Sequence, residues 1–63
     1  MPIVEIKLLE GRTLEQKKKL ASAVTDAVVQ SLGVNPDSVR ITLLEMAQEN
    51  YAVAGVLWID SKK

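Results

Sequence analysis

The chain has 63 residues, which sets one small domain over residues 1–63. A chain this short buries only about 60 % of the surface its unfolded form exposes, and scaffolds of this size usually rely on disulfides, a metal or partner copies for stability. It has no Cys and no His, which removes disulfides and the usual metal ligands, and eight Lys+Arg offset eight Asp+Glu, which removes the positive excess of a nucleic-acid binder.

Partner copies remain, and a hydrophobic content of 48 % favours them. No apolar run approaches the roughly 20 residues of a membrane span, and no signal peptide opens the chain. The expectation is a cytoplasmic protein with no nucleic-acid or membrane partner.

The first element is a strand over Ile3 to Leu9. Val4, Ile6 and Leu8 point to one face, and Ile3, Glu5, Lys7 and Leu9 to the other. Pro2, at its head, has no N–H for a ladder, which is tolerated at the first position of a strand. Gly11 then turns the chain. Thr13 and Gln16 form a capping box, because each satisfies a backbone N–H at a helix start.

The helix runs to Leu32, with an apolar stripe of Leu20, Ala21, Val24, Ala27, Val28 and Leu32, and Gly33 stops it. Lys17, Lys18 and Lys19 read as a solvated face. "NPDS" is a single turn, with Asn35 capping and Pro36 at its first position. A second strand covers Val39 to Met46, with Val39, Ile41 and Leu43 on one face. Two strands joined by a helix make a β-α-β unit, parallel and with a right-handed crossover. The tail from Tyr51 to Ile59 is almost continuously apolar and reads as a short hairpin or strand packed on other subunits.

The chemistry must come from a short inventory. Without His or Cys, the common general bases and nucleophiles are missing. The carboxylates form no recognisable pair or metal cluster. Only two arginines stand among six lysines: Arg12 beyond the first strand and Arg40 near the start of the second. Guanidinium suits planar, bidentate carboxylate recognition. In a parallel unit these positions lie towards opposite ends, so one chain need not bring them together, although neighbouring subunits could. Residue chemistry alone favours a different reading, ordinary surface salt bridges with nearby acids such as Glu10 or Glu45.

Pro2 adds a base of an unusual kind. Removal of Met1 would leave it as the N-terminus with a secondary amine. An α-amino group has a pKa of about 8, and apolar surroundings with nearby guanidinium groups lower it. Such a base suits proton transfer to and from carbon near neutral pH. Leu9, Tyr51 and Trp58 are candidates for the apolar wall.

Taken together, "MPIVEIKLLEGRTLEQKKKL", "SVRITLLEMA" and "NYAVAG" resemble the 4-oxalocrotonate tautomerase family, the small-subunit branch of the tautomerase superfamily. The resemblance covers nearly the whole length. It implies an α+β fold, a single β-α-β unit with a C-terminal hairpin, assembling as a hexamer (a trimer of dimers). It implies self-association as a homohexamer, with active sites that draw residues from more than one subunit.

The implied activity is isomerisation of 2-hydroxy-diene carboxylates such as 2-hydroxymuconate to the conjugated 2-oxo isomer, in aromatic hydrocarbon catabolism. No cofactor and no metal are implied. By the same resemblance Pro2 is the general base. Arg12 holds the distal carboxylate, and Arg40, from a neighbour, meets the 2-oxygen and near carboxylate as charge develops. Leu9 helps fix substrate or water through its backbone, and Tyr51 belongs to the apolar wall.

Tyr51 stands where the family often has Phe, and "AVAG" is less glycine-rich than the family's usual hairpin. The superfamily also contains dehalogenases and decarboxylases that use the same proline. A hydrating reaction wants a carboxylate just after Tyr51, where this chain has Ala52, Val53 and Ala54. A non-catalytic assembly protein with a blocked N-terminus is the other alternative.

Overall fold

Helix α1, Leu14–Leu32, is set by its two ends. Thr13 and Gln16 exchange backbone-to-side-chain hydrogen bonds of 3.0 and 3.1 Å, so two N–H groups with no helical partner are satisfied. At the other end Gly33 adopts φ 67°, a left-handed conformation that favours glycine, and its N–H donates to the Val29 carbonyl at 2.8 Å. The structure, a computed structural model, describes residues 1–61. Lys62 and Lys63, which the sequence reading includes in the single domain, lie outside the described residues.

Strand β1, Ile3–Leu9, precedes α1, and strand β2, Arg40–Met46, follows it. They pair in parallel, from Ile3 opposite Arg40 to Leu9 opposite Met46. Their alternation sorts the residues by face. Val4, Ile6, Leu8, Ile41 and Leu43 are half-buried. Glu45 belongs to the same face, and its carboxylate lies 2.6 Å from Lys17 Nζ on α1, which places that face under the helix. On the other face Ile3, Glu5, Lys7, Arg40, Thr42 and Leu44 are exposed.

Between α1 and β2, Pro36–Ser38 forms one 3₁₀ turn, with the Asn35 side chain accepting from the Asp37 N–H at 3.1 Å. A second 3₁₀ turn, Gln48–Asn50, leads into β3, Ala52–Val53, which pairs antiparallel with β4, Val56–Leu57. Ala54 and Gly55 link them with φ of 54° and 82°, the backbone of a type I′ hairpin turn. Helix α2, Trp58–Ser61, follows at once.

The structure shows the β-α-β unit and the C-terminal hairpin, and it corrects several details. Val39 does not open β2; its N–H closes the 3₁₀ turn on the Pro36 carbonyl at 3.1 Å. Ala27 and Leu32 of the expected stripe are exposed, Leu32 as the last residue of the helix, while Thr25 and Val29 are half-buried. Lys17 is not merely solvated, since it pairs with Glu45. The 3₁₀ turn at Gln48–Asn50 had no expectation. The tail is extended for only two short strands before it coils into α2.

None of the described residues is buried within the single chain. Its accessible surface is 4922 Å², against about 4000 Å² expected for a compact monomer of this mass. Apolar side chains of the tail stay open, with Val53 and Ile59 each 52 % exposed.

Candidate active site

Pro2 is half-buried at the head of β1, and its carbonyl accepts the Arg40 N–H at 3.0 Å. Strand register therefore brings Pro2 and Arg40 to the same end of the sheet. The Arg40 guanidinium turns aside, with Nη1 donating to the Asp37 carbonyl at 2.9 Å. Arg40 shares the open face with Ile3, whereas Pro2 continues the alternation of the face under α1.

Arg12 stands at the other end, beyond Leu9 and Gly11. The length of β1 separates it from Pro2 by about 20 Å within one chain. Among the described residues neither arginine forms an ion pair. The alternative of salt bridges to Glu10 or Glu45 is thus not what the structure contains, and Glu45 is held by Lys17 instead.

Leu9 and Tyr51 come together, with Lys7, Met46 and Trp58, around an open groove of about 520 Å³. Alternation puts Lys7 and Leu9 on one face of β1, and Met46 is the register partner of Leu9. Within the tail, the Trp58 N–H donates to the Tyr51 carbonyl at 2.7 Å and closes the hairpin. The two rings lie with centroids 6.0 Å apart at 59°. A neighbouring depression of about 440 Å³ is lined by Leu9, Glu10, Gly11, Arg12, Gln48 and Trp58, among others.

The five expected site residues thus fall into two groups. Pro2 and Arg40 share one end; Leu9, Tyr51 and Arg12 share the other. Lys7 and Met46 were not singled out from the sequence. Their signal was positional, since Lys7 shares a face with Leu9, and Met46 closes the second strand. Among the described residues no three or more His, Cys, Asp or Glu gather as a metal site. No helix of the described residues is long and apolar enough to cross a membrane.

A tautomerase enzyme family model matches residues 2–60. The chain belongs to the tautomerase family. Its activity is therefore of the isomerase kind, the relocation of a proton and a double bond within one molecule. A probable tautomerase of Staphylococcus aureus (strain Mu50) is 52 % identical over 56 residues, covering 89 % of this chain and 92 % of the relative.

Among solved structures, a 4-oxalocrotonate tautomerase isozyme from Methylibium petroleiphilum superimposes with a TM-score of 0.93. It is 47 % identical and covers 95 % of this chain and 94 % of its own. A heterohexamer 4-oxalocrotonate tautomerase from Chloroflexus aurantiacus gives a TM-score of 0.92 at 31 % identity, covering 98 % of this chain and 100 % of its own.

Proposed function

We propose that this tautomerase converts 2-hydroxy-diene carboxylates such as 2-hydroxymuconate to the conjugated 2-oxo isomer, with Pro2 as the base. The observation that carries the reading is a proline directly behind Met1 in a tautomerase-family chain that has neither His nor Cys. Removal of Met1 exposes the secondary amine. In its neutral form the amine takes the proton of the 2-hydroxyl. The C–O bond becomes a carbonyl, the double bonds shift along the chain, and the same proton returns to C5.

Arg40 stabilises the negative charge that collects on the 2-oxygen and near carboxylate, while Arg12 holds the distal carboxylate. Leu9 and Tyr51 bound the carbon skeleton. The separation of Pro2 from Arg12 along β1 supports a site shared between protomers. The outward side of Arg40, opposite Ile3, favours its donation to a neighbour. A hexamer of this chain, a trimer of dimers, would meet both demands. The Chloroflexus relative is described as a heterohexamer, which supports six subunits.

The test is a spectrophotometric assay of chains that begin at Pro2, with 2-hydroxymuconate and with the monoacid 2-hydroxy-2,4-pentadienoate. Conversion of both, with the diacid favoured through KM, is the expected result. Turnover of 3-haloacrylates or malonate semialdehyde with neither dienol converted would replace this reading by a dehalogenase or decarboxylase.

A further inference from the structure

We infer that Trp58 is a specificity-determining residue, the surface on which the conjugated skeleton of the substrate lies; this rests on the tautomerase reading above. Among the described residues, Leu9 and Trp58 line both the depression that holds Tyr51 and one of the two that Arg12 lines. Each depression, at about 520 and 440 Å³, is of a size that takes a small organic ligand.

Trp58 is also held in place. It is the first residue of α2, its N–H is bonded to the Tyr51 carbonyl, and its ring lies at 59° to the Tyr51 ring. In the single chain 37 % of it is exposed, so a large flat apolar surface lies beside the carboxylate-binding candidate.

This arrangement sorts substrates by their far end. A planar diene lies against the indole, where aromatic surface contributes dispersion and burial. If its far end is a carboxylate, it runs towards Arg12. If its far end is apolar or aryl, it runs into the groove of Leu9, Met46 and Tyr51, and Trp58 is the wall common to both paths. The chain accordingly accepts aryl-substituted planar acids as well as short diacids.

The chain has one tryptophan, so its emission reports on this residue alone. The probes are cis,cis-muconate, a conjugated diacid, and cinnamate, an aryl monoacid; neither carries the 2-hydroxyl needed to tautomerise. Both are expected to change Trp58 emission saturably. By calorimetry, Trp58→Leu should raise Kd for cinnamate about tenfold, with most of the loss recovered in Trp58→Phe. Arg12→Gln should weaken muconate about tenfold and leave cinnamate nearly unchanged.

Binding of both probes without any change in emission overturns the inference, as does wild-type affinity in Trp58→Leu, or no binding of either probe. Turnover of 2-hydroxymuconate in the same preparations separates the two claims. Turnover with silent emission removes Trp58 and keeps the tautomerase reading. Saturable emission changes without turnover do the reverse.

Discussion

Pro2 contributes a carbonyl to the ladder, through the 3.0 Å bond from the Arg40 N–H, and it has no N–H to contribute. With Met1 attached its nitrogen is a tertiary amide, whose lone pair is delocalised and accepts no proton. Activity should therefore rise in proportion to the fraction of chains that begin at Pro2, a fraction read from intact mass. A preparation that retains Met1 throughout yet turns over at full rate would leave Pro2 a strand-head residue only. The two arginines predict different kinetics. Arg12→Ala should raise KM for the diacid at least about tenfold relative to the monoacid, because a charge-assisted hydrogen bond is lost far from the reacting atoms. Arg40→Ala should also lower kcat, since its partner gains charge in the transition state. Equal effects of both substitutions on both substrates would contradict these roles.

At the scale of elements, the helix caps and the strand alternation act locally. The Lys17–Glu45 pair is different, because it ties α1 to β2 across 28 residues of sequence (45 − 17). The side chains are 27 % and 40 % exposed, so solvent screens the pair and it contributes at most about 1 kcal/mol. Lys17→Met should lower stability by no more than that, and the difference measured by urea denaturation should shrink in 1 M salt. The hairpin turn carries a strained residue. Ala54 sits at φ 54°, where a Cβ is disfavoured by about 1 kcal/mol, and Asn tolerates that conformation better. Ala54→Asn should stabilise the protein by a few tenths of a kcal/mol to about 1 kcal/mol, seen as a raised thermal midpoint.

The whole molecule is open for its size. The radius of gyration is 14.8 Å, against about 11 Å for a compact chain of this length. A two-stranded parallel sheet with one uncovered face, and a tail with no buried side chain among its described residues, leave apolar surface that further copies of the chain would cover. Sedimentation should show an oligomer at micromolar concentration, with six chains as the expected number; a stable monomer would refute it. Removal of the residues after Asn50 should abolish that assembly, because Val53, Val56 and Ile59 would supply much of the buried surface. A truncated chain that still sediments as a hexamer would place the interface on the sheet alone.

The β-α-β order, the parallel pairing and the ends of α1 could be read from the sequence, because caps, turn residues and the two periodicities act over a few neighbours. Thr13 with Gln16, Gly33, and Asn35 with Pro36 each fix a backbone position through their own hydrogen bonds or torsion angles. Candidate site residues were nameable by type and place, Pro2 behind Met1 and two arginines among lysines. Their grouping was not fully nameable. That Lys7 and Met46 join Leu9, Tyr51 and Trp58, that Glu45 goes to Lys17 rather than to an arginine, and that the tail turns into α2 after two short strands all depend on contacts between residues distant in sequence. Those contacts follow from how the elements pack on one another, and periodicity along one segment carries no information about that. Tertiary structure alone also decided that a chain rich in apolar residues leaves none of its described residues buried, since how much surface a fold covers depends on how its elements pack together.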